Sequence, residues 1–316
     1  MVVVRLMADV YDLPKAQRRG WGSIVQILAA EPCFNELYED AEERQVLKFL
    51  LSETRHPGSI LSSLASAREN ARTIREILPR MAWEQLTELY NFAREQMASG
   101  LTKKGRHAYL TGIIAGSQRL AGMLDSTLMR DEAHYMLRIG RSLERADMTT
   151  RILDVRSADL LAEAGRELDP FESIQWMSVL KSLTGYHAYR RKLQTQIQRD
   201  AVLCFLLLDQ QFPRAVQHCL TALEEALGEL PYHRTVVQAV REVSRQLQQE
   251  PVGELAQDSL HAFVDELQQG FQQVHDAVAA AYFLPVTPPE PFAPLPTELA
   301  PGSTQAQAQA PTQSTP

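Results

Sequence analysis

Apolar residues recur every three or four positions along almost the whole chain, the spacing that places them on one face of an α-helix. The pattern predicts helices at 2–12, 20–30, 39–52, 57–78, 82–98, 103–125, 129–163, 172–197, 199–207, 212–228, 233–248 and 254–283, each boundary good to a few residues. No stretch sustains the alternation of a half-buried strand. The connections are short, so consecutive helices are expected to pack as antiparallel neighbours. Pro57 and Pro213 stand where first-turn prolines belong, since a missing N–H costs nothing there. From Pro285 the pattern is lost. Residues 285–316 are rich in Pro, Thr, Gln, Ala and Ser with few apolar anchors, and a disordered tail is expected.

The helical pattern repeats. Val46-Leu-Lys-Phe-Leu-Leu51 matches Val202-Leu-Cys-Phe-Leu-Leu207, Pro57 matches Pro213 and Leu64 matches Leu220, all at an offset of 156 residues without a gap. Seven of the 22 aligned positions from 46 to 67 are identical, and unrelated helices would share far fewer. Trp21-Gly-Ser-Ile-Val also matches Trp176-Met-Ser-Val-Leu. The period is too long for a solenoid unit and reads as a duplicated helical bundle. The expected fold is therefore all-α: a first repeat over 1–128, a second over 129–284, and the tail. The duplication sets Met1 opposite Arg156 or Ser157, so the first half lacks its counterpart of the helix at 129–163 except for its last turns. Either that copy is lost or the chain begins further upstream.

Composition narrows the class. Hydrophobic residues make up 45% of the 316, enough for a sizeable core, and good helix formers dominate. The net charge of −7 argues against a general nucleic-acid binder and gives no support for binding an anionic membrane. No apolar run reaches the roughly 18 residues needed to span a bilayer, and the first residues do not form a signal peptide. Cys33, Cys204 and Cys219 form no CxxC pair and read as buried thiols of a reducing compartment, so a cytoplasmic protein is expected.

The stretch from Met129 to Val155 is the most charged helix in the chain. Arg138, Arg141 and Arg145 follow at three and four residues, and Asp147 stands four before Arg151, which can pair with it. Ile139, Leu143, Ala146 and Leu153 form an apolar stripe beside the charges. The helix should pack on one side and carry a charge ladder next to the seam. That ladder reads as a solvated face, as a network fixing the register of the two repeats, or as an arginine site for a carboxylate or phosphate held by Glu144 and Asp147.

Arg138-Ile-Gly-Arg-Ser-Leu-Glu-Arg-Ala-Asp-Met-Thr-Thr-Arg-Ile-Leu-Asp-Val155 resembles the signature of the alpha-E domain, an uncharacterised helical family named for a Glu-Arg motif. Pro57-Gly-Ser-Ile60, Ala67-Arg-Glu-Asn-Ala-Arg72, Met129-Arg-Asp-Glu132, Tyr189-Arg-Arg191 and Phe205-Leu-Leu-Leu-Asp-Gln-Gln-Phe-Pro-Arg-Ala-Val216 are similar too. The resemblance implies a tandem duplication and makes Glu144 and Arg145 the signature pair. It also implies a setting: partners that are circularly permuted ATP-grasp ligases, transglutaminase-like cysteine peptidases or NTN-hydrolase-type peptidases, in a system that makes or modifies peptides. The missing first Glu-Arg helix departs from the family pattern and weakens any mechanism that needs two such helices face to face. Arg68, Glu69 and Arg72 would then stand in as the charged element of the first half.

The remaining chemistry is sparse. None of the eight histidines stands at metal-ligand spacing, and there is no nucleophile elbow or nucleotide loop, so neither a metal nor a cofactor is expected. Cys204 and Cys219 read as core, and Cys33 as the most exposed thiol. Tyr186, Tyr189, Arg190, Arg191 and Lys192 form a basic aromatic patch. The function expected is a non-catalytic binding or scaffold component using Arg138, Arg141, Arg145 and Arg151, with Glu144 and Asp147 holding them. The alternatives are a helical enzyme with Glu144 as base for amide or ester chemistry, and a purely structural charged helix.

Overall fold

The computed structural model describes residues 21–161, 172–255 and 257–284. The helix expected at 2–12 and the tail expected from 285 lie outside these residues. All regular structure among the described residues is helical. The first half runs through α1 (Gly22–Ile27), α2 (Glu31–Asn35), α3 (Glu43–Ser52), α4 (Ile60–Thr73), α5 (Arg80–Glu95), α6 (Met97–Gly100) and α7 (Arg106–Thr127). The second runs through α8 (Glu132–Leu161), α9 (Glu172–Ser182), α10 (Tyr186–Leu193), α11 (Arg199–Leu208), α12 (Val216–Gly228), α13 (Arg234–Gln249) and α14 (Gln257–Tyr282).

Local chemistry places the helix ends. Glu42 and Gln45 form a capping box that starts α3, Gln45 accepting from the Glu42 N–H at 3.2 Å. The Ser59 hydroxyl accepts from the Ser62 N–H at 3.2 Å and starts α4. Pro57 therefore lies in the preceding loop and not in a first turn, and Pro213 likewise precedes the cap of α12 at Ala215. The helix expected at 20–30 ends early, and the one expected at 172–197 is divided. Ala29, at φ 48°, ends α1, and Pro32 opens the separate α2. Thr184, at φ 58°, divides the helix expected at 172–197 into α9 and α10, and the Gly185 N–H closes the end on the Leu180 carbonyl at 2.7 Å. One residue in the left-handed region stops a helix whatever the periodicity on either side of it.

Two apolar cores result. Ile24, Phe34, Val46, Phe49, Leu50, Leu89 and Tyr109 build the first. The second, larger core gathers α8 with α9 and α11 to α14 around Trp176, Leu203, Leu206, Leu220, Val240 and Leu267. Ile27 of α1 reaches into it, and α1 packs on α8. The helix starts Glu43 and Arg199, and Ile60 and Val216, stand at the same 156-residue offset as the matching sequences. The loops between them are held alike. Glu53 accepts from the Arg55 N–H at 3.2 Å, and Asp209 accepts from the Gln211 and Phe212 N–H groups at 2.8 Å each.

Candidate functional site

On α8, Glu144 and its neighbour Arg145 stand three and four residues after Arg141, Met148 follows three after Arg145 and Arg151 three after that, so all line one side of the helix. The neighbouring face carries Ile139, Ala146, Ile152 and Leu153, all buried in the second core, with Leu143 packed against it. Burial of that stripe fixes the rotation of α8, so its charged face lines a cleft of about 610 Å³ shared with the first half. The facing wall is mostly apolar and includes Leu28, Leu50, Leu64 and Ile113, with His56 and Ser117 among them. Arg214, in the loop before α12, lines the cleft as well.

The charges here fall into two sets. Arg151 Nε donates to Asp147 Oδ2 at 2.6 Å, the pairing their spacing predicts. Arg141, Glu144 and Arg145 make no ion pair or side-chain hydrogen bond among the described residues. Glu144 keeps an exposed surface, yet it stands in a concave site where protein crowds its carboxyl. That crowding raises its pKa above the usual carboxylate value, Asp147 pushing the same way and Arg151 opposing. Burial and the Arg141 guanidinium lower the pKa of Arg145, the Cys219 thiol opposing, but a guanidinium stays cationic at any ordinary pH. Among the described residues, the cleft thus holds two cations and one carboxyl without a side-chain partner, set against an apolar wall.

The other sequence candidates lie elsewhere. Arg138 pairs with Glu225 of α12 at 3.3 Å and is not part of the cleft lining. Arg68 packs its guanidinium over Trp83 and Tyr90 of α5, at 5.5 and 5.7 Å from the ring centroids. Glu69 and Arg72 pair with each other at 2.6 Å on the exposed face of α4. None of these three lines the cleft. In the basic aromatic patch, Tyr189 is core and its hydroxyl donates to the Gln196 carbonyl at 3.2 Å, while Lys192 bonds Asp209 at 2.5 Å. Cys204 is exposed and not core, because it sits on the outer side of α11; Cys219 is buried, and Cys33 is half-buried.

Two features escaped the sequence reading. His56 gave no motif signal, being a lone histidine before a proline. Asp154 on α8 meets His261 and Asp265 on α14, and their donor atoms lie within 4.8 Å of one another. These three are the group among the described residues that could hold a metal ion. As they stand, the imidazole bridges the two carboxylates, Nδ1 toward Asp154 and Nε2 toward Asp265 at 3.7 Å. The 107-residue separation of Asp154 and His261 hides the grouping from any spacing motif.

Fold and site together define an all-helical protein in which one charged helix turns an arginine–glutamate face into a cleft between two cores. A family model described as a predicted alpha-helical domain with a conserved ER motif matches residues 1–283, and the chain belongs to this Alpha-E family. No curated protein and no solved structure matches it.

Proposed function

We propose that the protein is a non-catalytic binding component that holds the carboxylate of a peptide in the cleft. Arg141 and Arg145 carry the reading: two guanidinium groups without a side-chain partner among the described residues face a concave site with an apolar opposite wall. A planar guanidinium fork matches a carboxylate, and limited water contact strengthens the attraction. The Arg151–Asp147 pair beside them is already satisfied and serves to hold the floor of the site.

The setting proposed is a peptide-synthesis or peptide-modification system. Its other members would be a circularly permuted ATP-grasp ligase and a transglutaminase-like or NTN-type peptidase. This setting is the one that the resemblance of the Arg138–Val155 segment to the alpha-E signature implies. Three unpaired cysteines support a cytoplasmic location. The common offset of helix starts and of loop-holding carboxylates supports a duplicated bundle as the origin of the two halves.

Calorimetry on the full chain tests the reading with N-acetyl-Ala-Ala-Leu and with the same peptide as its C-terminal amide. The acid should bind at least about tenfold more tightly, the worth of one charge-assisted hydrogen bond. Arg145→Ala should remove that preference while the fold is kept. Equal binding of acid and amide to the wild-type protein sinks the proposal.

The crowding that raises the Glu144 pKa favours a second reading, in which Glu144 is a general base for amide or ester chemistry. Peptide hydrolysis or acyl transfer by the wild-type chain, lost in Glu144→Gln, would establish it in place of the first.

A further inference from the structure

His56 lies on the apolar wall of the cleft and is only 7% exposed. Its ring stacks on Phe49, centroids 4.2 Å apart and planes 12° apart. Its Nε2 is buried without a hydrogen-bond partner among the described residues. The residue at the matching place in the second half, 156 positions on, is Phe212. Phe212 stacks on Phe205, the counterpart of Phe49, at 4.8 Å and 24°. Both halves therefore build the same ring pair between the same helices, one with a phenyl ring and one with an imidazole.

The comparison separates packing from chemistry. A phenyl ring meets every packing need of this position. Burying a polar nitrogen without a partner is destabilising, so the imidazole is present at a cost to the fold. That cost falls on the wall facing Arg141, Glu144 and Arg145, and the second half does not carry it. Gly58 gives the imidazole room: a Cβ there would stand 2.8 Å from His56 Cε1 and 2.9 Å from Nε2. Its counterpart in the second half is Arg214. Burial also lowers the pKa of His56, Glu53 opposing, and a neutral imidazole offers one donor and one acceptor.

We infer that His56 is a recognition residue of the cleft. Its imidazole hydrogen-bonds the amide of a peptide's last residue, Arg141 and Arg145 take the terminal carboxylate, and Leu28, Leu50, Leu64 and Ile113 receive an apolar side chain. The inference rests on the carboxylate-binding reading above and deepens it: the ligand is the C-terminal end of a peptide whose final residue is apolar.

The test uses the full chain and His56→Phe, the residue the other half already carries. Each is titrated with N-acetyl-Ala-Ala-Leu, with its C-terminal amide, and with N-acetyl-Ala-Ala-Ser. His56→Phe is expected to melt at or above the wild-type temperature and to bind the leucine acid about tenfold more weakly, the worth of one hydrogen bond, while still preferring acid to amide. If the variant binds as tightly as wild type and wild type prefers the acid, the role of His56 is overturned and the carboxylate reading stands. If wild type does not prefer the acid, both fall. Equal binding of the serine peptide overturns the apolar subsite. Should His56→Phe fail to fold, the imidazole nitrogen resonances of His56 in the unaltered chain decide. They are expected to shift on saturation with the leucine acid, and unshifted resonances overturn the role.

Discussion

The Thr149 hydroxyl, fully buried on α8, donates to the backbone carbonyl of Arg214 at 2.8 Å. This bond ties the charged helix to the loop that opens α12, one residue beyond Met148 on the cleft floor. Thr149→Val keeps the shape and removes the donor, leaving the carbonyl without this partner. A loss of about 1 kcal/mol is expected, and a melting temperature lower by roughly 1–2 °C for a chain of this size. Thr149→Ser should recover most of it. Thermal denaturation of the three proteins checks this, and an unchanged Thr149→Val would show that the loop is held by other contacts.

The raised pKa of Glu144 makes a signed statement about pH. The folded state binds this proton more tightly than the unfolded chain, whose carboxyl titrates near the ordinary value of 4.5. Below that value both states are protonated and the group is neutral to stability. As pH rises through the higher folded pKa, ionisation weighs on the folded state alone, so the contribution of Glu144 falls. Glu144→Gln has no such charge. It should be more stable than wild type at pH 7, and the advantage should vanish as pH drops below about 4.5. Melting curves for both proteins across this range provide the check. A wild-type chain more stable than Glu144→Gln at pH 7 would mean that the carboxylate is paired.

Much of α8 was legible before its surroundings were known. The apolar stripe of Ile139, Ala146 and Leu153 and the Arg151–Asp147 pair both follow from helical spacing, and both stand as read. Periodicity reports which face of a helix is buried, not what the other face meets. The wall opposite Glu144 comes from Leu28, Leu50, His56, Leu64 and Ile113, up to 116 residues earlier in the chain, and no local pattern encodes that meeting. Helix ends were the other loss. Ser59 set the start of α4 in place of the more conspicuous Pro57, and Ala29 ended one helix early while Thr184 divided another, through backbone dihedrals that a non-glycine residue seldom adopts.

Arg68, Glu69 and Arg72 are adjacent in sequence but differ in what holds them. Arg68 is packed between two rings of α5, whereas Glu69 and Arg72 form a pair that is about 60% exposed on both sides. Arg68→Ala should cost about 1 kcal/mol through lost cation–π and stem packing. Glu69→Ala and Arg72→Ala should each change stability by less than about 0.5 kcal/mol. All three should bind N-acetyl-Ala-Ala-Leu as wild type does, since none lines the cleft. Denaturant unfolding and calorimetry on the same samples check both parts. A binding defect in Glu69→Ala or Arg72→Ala would place the first-half charges back in the site.

Two glycines should respond in opposite ways to alanine. Gly140 lies inside α8, within the Arg138–Val155 signature, and a Cβ there would meet nothing within 4 Å. Glycine in a helix interior costs about 0.5–1 kcal/mol relative to alanine, so Gly140→Ala should stabilise the protein by about that much. Gly105 caps α7, and a Cβ there would stand 2.6 Å from the Ser99 carbonyl oxygen and 3.0 Å from its carbon. Backbone cannot move aside as a side-chain tip can, so Gly105→Ala should destabilise by roughly 1–3 kcal/mol through forced displacement of the α6–α7 corner. Equilibrium unfolding of the two variants against wild type gives both signs in one experiment. If Gly140→Ala proves destabilising instead, α8 is approached at that point by something outside the described residues, and the exposed side of the signature helix is a contact surface.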